Sequence, residues 1–240
     1  LTSIYGHRGA RGERPENTIE GFVHAAALGL TGIECDVALT RDLVPVLHHD
    51  PDLSPGNFIC DLSFEQLHLL APQIPTLQQA LRAAPKPEWF IEIKTFPDAP
   101  EKSALPEAMA EAVLEVLENA GASNQACILA FDWRVLAAAA RCVPQVRRIC
   151  LTAPETERAR NIWWGEGITE PLPEAMVQAG AYGWAPYHAT LSKIQIERAH
   201  QLGLKVFPWT VNELADFERL ALVADGIITD FPSRFRTFQI

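Results

Sequence analysis

Eight short runs of β-forming residues, separated by stretches with helical spacing, leave this chain few architectures. The runs are 3–8, 32–37, 88–93, 126–131, 146–151, 181–187, 204–210 and 225–230. Between most of them lie helical segments, the clearest at 17–30, 105–121, 132–142, 191–203 and 212–223. Their apolar residues recur at the 3.6-residue period. Strand–helix repetition lays parallel strands side by side with helices packed outside. Eight such units predict an α/β fold, a closed (β/α)8 TIM barrel. The rival is an open doubly wound sheet, which favours a Gly-rich turn of small residues after its first strand. Here "GHRGARG" (6–12) follows that strand, with His and Arg where a dinucleotide loop needs small residues.

One region breaks the alternation. Residues 38–75 run long before the next helix, 76–84, and hold a short strand at 44–48 and a short helix at 63–70. In a barrel this insertion after strand two sits over the mouth, where function concentrates. Residues 1–240 are thus expected to form one barrel domain, with 38–75 as an inserted subdomain. The helix at 17–30 opens with Asn17, and Glu20 three residues later completes a capping-box pattern. Asn17 is accordingly read first as a helix cap.

Composition narrows the classes of function. At 48% hydrophobic, the 240 residues can fill one large core. The five cysteines are scattered, odd in number and lack a Cys-x-x-Cys pair, which predicts reduced thiols rather than a disulfide framework or a zinc–thiolate site. There is no apolar run of membrane-spanning length and no basic-then-apolar leader, so the expected compartment is the cytoplasm. The net charge of −10 argues against nucleic acid or an anionic membrane as main partner, and no stable membrane association is expected. It leaves room for a small anionic substrate held by local cations.

The polar residues collect where barrel catalysis occurs, at C-terminal strand ends. His7 and Arg8 end the first strand, Glu34 and Asp36 lie in the second, Glu92 and Lys94 end the third, and His49 and Asp50 follow in the insertion. Glu34 and Asp36 are two residues apart, so both point to one face, as do Glu92 and Lys94. Like charges this close need a cation between them. Two readings answer. Three hard oxygen ligands without cysteine suit Mg²⁺ or Ca²⁺. Alternatively, Arg8 and Lys94 neutralise the acids as a salt-bridge cluster. With a divalent ion, the site becomes locally positive and suits a phosphate group, and His7 and His49 supply an acid and a base. Cys35 lies on the opposite face and reads as packing. Trp184 and Trp209 read chiefly as barrel filling, with Trp209 able to line the mouth.

These residues resemble the glycerophosphodiester phosphodiesterase family. The resemblance is carried by "GHRGARGERPENTIEGF" (6–22), "GIECDVALTRDLVPVLHHDPDL" (32–53), "IEIK" (91–94), "WTVN" (209–212) and "DGIITDFP" (225–232), in order along nearly the whole chain. It implies a (β/α)8 barrel and hydrolysis of glycerophosphodiesters, such as glycerophosphocholine or glycerophosphoethanolamine, to glycerol 3-phosphate and an alcohol. It implies metal ligation by Glu34, Asp36 and Glu92, acid–base work by His7 and His49, and phosphate contact by Arg8 and Lys94. Glu16, Asn17 and Asp50 match supporting positions. The resemblance also implies attack by the substrate's own hydroxyl through a cyclic phosphate. Two departures stand out. "SPGNFICDL" (54–62) replaces the family's usual stretch, and Ala130-Phe131 replaces Ser-Phe, keeping Phe131 as an aromatic wall for substrate beside Trp209. A related lipid activity, phospholipase D-like or phosphatidylinositol phospholipase C-like, and a non-catalytic phosphodiester-binding barrel are the alternatives.

Overall fold

Residues 2–238 are described by the structure, a computed structural model. The strands are β1 (Ser3–Gly6), β2 (Gly32–Leu39), β3 (Pro45–Leu47), β4 (Glu88–Ile93), β5 (Ala126–Ala130), β6 (Arg147–Thr152), β7 (Gly183–Pro186), β8 (Lys205–Val206) and β9 (Gly226–Thr229). Eight are parallel neighbours in the order β8-β7-β6-β5-β4-β2-β1-β9, and β3 pairs antiparallel with β2. Single hydrogen bonds, rather than a continuous ladder, join the two ends of this path. Asp225 N donates to Val206 O at 3.0 Å, Ile228 N to Pro208 O at 3.0 Å, and Val211 N to Ile228 O at 2.9 Å. The predicted α/β barrel is therefore present. The run expected at 204–210 keeps only two residues in a ladder: Phe207 N and Trp209 N still donate to Trp184 O and Pro186 O, but Pro186 on β7 has no N–H to return the pairing.

Strand parity sorts the barrel into two cores. In β2, Ile33, Cys35 and Val37 face the helices, while Glu34 and Asp36 point inward; in β4, Trp89, Ile91 and Ile93 face out and Phe90 and Glu92 face in. Cys35 is thus packing, as its position predicts. The outer core is large because each helix commits one stripe to it. The helix Pro106–Asn119 buries Met109, Val113 and Leu117, with Ala110 and Leu114 beside them. The inner core is a plug. Tyr5 stacks on Phe90 with ring centroids 3.9 Å apart, Phe207 meets both edge-on, and Leu129, Ile149, Leu151 and Ile228 fill the space above. At the barrel floor the Tyr5 hydroxyl donates to Glu88 Oε2 at 2.6 Å, and Arg147 pairs with Glu88 Oε1 at 2.6 Å. The floor is closed, so a substrate enters from the C-terminal rim.

The insertion has its own small core of Val46, Ile59, Leu67, Ala71 and Ile74, with a helix at Phe64–Leu70 capped by Ser63. Two sequence expectations need correction here. The first helix runs Ile19–Ala27, and its cap is Thr18, whose side chain accepts from Gly21 N at 3.1 Å; Asn17 is not the cap. The stretch 153–180 shows no helical or strand pattern in the sequence, yet it forms helices at Pro154–Arg158, Arg160–Trp163 and Glu174–Gln178. None exceeds five residues, too short to show a helical period.

Asp225 stitches the barrel seam. It accepts from Lys205 Nζ at 2.7 Å and Val206 N at 2.9 Å, and its carboxylate lies 2.8 Å from His200 Nε2. Burial alone would raise its pKa, but these donors outweigh burial and hold it below the ordinary carboxylate range. A depressed carboxylate contributes stability above its unfolded pKa and loses it as pH falls through the folded value. Asp225→Asn should therefore lower unfolding free energy by about 1–3 kcal/mol at neutral pH. The gap from the parent protein should narrow as pH drops below the ordinary carboxylate range, which urea titrations across pH will measure.

Candidate active site at the barrel mouth

The site begins with a tight turn after β1. A Cβ on Gly6 would collide with the Gly9 carbonyl oxygen, so the chain can fold back only because this position has no side chain. Arg8 then takes a left-handed conformation, φ 49°, unusual for a residue with a Cβ. That conformation aims two groups of one residue at two acids. Arg8 N donates to Glu34 Oε2 at 2.8 Å, and its Nε lies 3.0 Å from Asp36 Oδ2. Asn17 is also left-handed, φ 52°. Its Nδ2 donates to Asp36 Oδ2 at 2.9 Å, and its Oδ1 accepts from Asp36 N at 3.2 Å. Asn17 therefore supports the site through Asp36 rather than capping the helix. A capping signature and a site contact look alike in sequence because both need a short amide side chain near a helix start.

Asp36 and Glu92 are direct neighbours in the β2–β4 register. Glu34, Asp36 and Glu92 each offer a carboxylate oxygen, and the three oxygens lie within 4.8 Å of one another. Glu34 and Asp36 are buried. Lys94 Nζ is 2.8 Å from Glu92 Oε1 and 3.7 Å from Asp36 Oδ1. The salt-bridge reading is thus partly realised, but it leaves a remainder. Glu34 Oε1 and Asp36 Oδ1 are buried without a hydrogen-bond partner. Three ionised carboxylates against one Arg and one Lys also leave one uncompensated negative charge. Burial, together with Asp36 and Glu92, pushes the Glu34 carboxyl well above its ordinary range. Asp36 goes the other way. Burial would raise it, but Lys94 and Arg8 outweigh burial and hold it well below. Orphaned buried oxygens on hard ligands fit a divalent metal ion, and this acidic group is able to hold one.

Each flanking histidine has a carboxylate behind it. His7 Nδ1 lies 2.6 Å from Asp230 Oδ1, and Asn212 Nδ2 donates to Asp230 Oδ2 at 2.8 Å. An ionised carboxylate only accepts, so Nδ1 carries the proton and Nε2 is left toward Glu34 Oε2, 3.9 Å away. His49 Nδ1 lies 2.8 Å from Asp50 Oδ1. Burial and the nearby Lys94 cation hold the His49 imidazole below its usual pKa, favouring its neutral form. Arg8 Nη1 also donates to Glu16 at 3.0 Å.

The predicted acid–base, phosphate-contact, wall and metal-ligand residues, Asp36 excepted, line one cavity of 330 Å³: His7, Arg8, Glu34, His49, Glu92, Lys94, Phe131 and Trp209. Asp36 sits just beneath it, within the triangle of acids. Phe131 and Trp209 meet edge-on at 5.5 Å and form its far wall. Sequence reasoning missed Asp230, Asn212 and Glu155. Asp230 and Asn212 stand inside the quoted segments 225–232 and 209–212, so a signal existed, but only the fold brings them to His7.

The sequence model of the Glycerophosphoryl diester phosphodiesterase family matches residues 7–234. The chain belongs to that family. A Caldanaerobacter subterraneus glycerophosphodiester phosphodiesterase is 26% identical over 96% of this chain and 95% of its own length. A solved Silicibacter pomeroyi protein superposes with a TM-score of 0.83 at 29% identity, covering 98% of this chain and 91% of that one. An Oleispira antarctica phosphodiesterase, solved with its product sn-glycerol-3-phosphate, shares the fold with a TM-score of 0.81 at 22% identity, over 99% and 96% of the two chains. Among the described residues no helix is long and apolar enough to cross a membrane.

The two roles at the first helix separate by mutation. Asn17→Ala removes both bonds to Asp36 and should cost about 2–4 kcal/mol. Thr18→Ala should cost about 1 kcal/mol as a lost cap. Chemical unfolding of both variants compares them directly.

Proposed function

We propose that this chain hydrolyses glycerophosphodiesters, glycerophosphocholine and glycerophosphoethanolamine among them, to glycerol 3-phosphate and an alcohol in a metal-dependent reaction. The observation that carries the proposal is the triangle of Glu34, Asp36 and Glu92, with two orphaned oxygens, set between two carboxylate-backed imidazoles. Family membership and the product held by the Oleispira protein support the substrate class.

Glu34, Asp36 and Glu92 would hold Mg²⁺ or Ca²⁺. When bound, such an ion polarises phosphate and acidifies a coordinated hydroxyl. Arg8 and Lys94 face the same cavity and offset the charge that builds on the phosphoryl oxygens. One imidazole takes a proton from the attacking hydroxyl while the other gives one to the departing alcohol. The attacking oxygen is the substrate's own glycerol hydroxyl. A new P–O bond forms, the bond to the alcohol breaks, and water later opens the resulting cyclic phosphate with the two histidines exchanging roles. Asp230 and Asp50 keep each Nδ1 protonated, so each Nε2 is the nitrogen that exchanges protons. Phe131 and Trp209 exclude water from the far wall. A binding-only barrel would have no use for two imidazoles each oriented by an acid, which favours turnover over simple capture. The reading takes residues 1–240 as one domain acting in the cytoplasm, where five unpaired cysteines suit a reducing medium.

His7→Ala and His49→Ala should each lower kcat about 100- to 10,000-fold. Coupled detection of glycerol 3-phosphate from glycerophosphocholine measures this, and near-normal turnover in both variants defeats the assignment. EDTA should abolish activity, and Mg²⁺ or Ca²⁺ should restore it; activity that persists after exhaustive chelation removes the metal from the reading.

A further inference from the structure

The cavity has two chemically distinct halves. The half made by β1, β2 and β4 holds the acids with their paired cations, Arg8 and Lys94. The other half is built from β5, β8 and the short helix Pro154–Arg158, and it presents Phe131, Trp209 and Glu155. The aromatic surface extends outward, since Trp163 meets Phe131 edge-on at 6.4 Å and Tyr187 lies 5.6 Å from Trp209. Glu155 is exposed and has no cationic partner among the described residues; the charged group acting with it is another acid, Glu157.

This sets Glu155 apart from the other acids around the mouth outside the Glu34–Asp36–Glu92 triangle. Glu16 also borders a neighbouring cavity of 580 Å³, but Arg8 and Arg11 each hold it at 3.0 Å. Asp50 is held by His49, and Asp230 by His7 and Asn212. Among the described residues, Glu155 is the acid that lines this aromatic half without an ion-pair partner, and aromatic rings attract cations through the negative potential of their faces. Such a surface attracts a cation and rejects an anion. A phosphodiester held by Arg8 and Lys94 has one part that can reach it with a charge, the esterified alcohol or its substituent.

We infer that Glu155, with the Phe131–Trp209 aromatic wall, is a specificity-determining residue that selects substrates whose leaving alcohol carries an ammonium or quaternary ammonium group over those with a neutral polyol. The inference rests on the phosphodiesterase reading above. It assigns Glu155 no part in bond breaking. Its short helix lies in the stretch 153–180, so headgroup choice is set on a different segment from the chemistry.

The test is the ratio of kcat/KM for glycerophosphocholine to that for glycerophosphoglycerol, measured on the metal-supplemented wild-type protein, Glu155→Gln and Glu155→Lys. Wild type should favour the choline diester. Glu155→Gln should lower kcat/KM for it about 3- to 10-fold, chiefly through KM, and leave the glycerol diester within about twofold. Glu155→Lys should lower the ratio further. Free choline should inhibit wild type more strongly than Glu155→Gln when the glycerol diester is the substrate. Because each variant is its own reference, a general folding defect moves both substrates together and leaves the ratio alone. An unchanged ratio in both variants overturns the Glu155 assignment while the phosphodiesterase reading stands. Failure of wild type to turn over either diester overturns that reading, and this inference falls with it.

Discussion

Repulsion among three carboxylates is the constraint around which the mouth of this barrel is organised. Glu34, Asp36 and Glu92 converge on a low-dielectric interior, where like charges interact far more strongly than in water. Each surrounding feature answers that problem. Lys94 and the Arg8 side chain bring positive charge, the Arg8 and Asn17 donors bring hydrogen bonds, and two oxygens are still left over. The left-handed backbone at Arg8 and Asn17 belongs to the same account. Such conformations cost free energy and persist where surrounding contacts fix them. Here both residues are fixed by contacts to Asp36, one by its side chain and the other through a pair of hydrogen bonds.

The barrel supplies the stiffness this arrangement needs. The acids sit on β2 and β4, strands paired in register whose outward residues are buried against the helices. The aromatic plug of Tyr5, Phe90 and Phe207 closes the floor below them. Polarity thus rises along the barrel axis, from a sealed apolar interior to a charged rim. The histidines show the same division of labour. Their Nδ1 atoms are tied to acids on β9's exit and in the insertion, which leaves the Nε2 atoms outside those contacts. One constellation is drawn from β1, β2, β4, β9 and the insertion, so no single segment could hold it alone.

Most of the fold was legible because strand and helix periods are local properties. Expected and observed strands coincide at 88–93 and differ by a residue or two elsewhere, except at 204–210, where the N–H that Pro186 lacks ends the ladder with β7 early. The insertion's strand and helix were legible for the same reason. The helices of 153–180 were not, since five residues cannot display a 3.6-residue period. At the site, Glu34 with Asp36 and Glu92 with Lys94 were readable from two-residue spacing alone. Asn17 was misassigned because one amide near a helix start fits two roles, and Thr18 next to it takes the cap.

What the sequence determined by itself is the set of faces: which side chains point into the barrel, which point out, and that acids, cations and imidazoles stand at successive strand ends. Those follow from alternation along single strands. What only the tertiary structure decided is who meets whom across the chain. Asp230 reaches His7 from 223 positions away, Asn212 reaches Asp230, and Glu155 comes to face the same cavity as Lys94. Closing the barrel makes these meetings, because its first and last strands become neighbours only when the sheet curls round on itself. That distance is invisible to any local pattern.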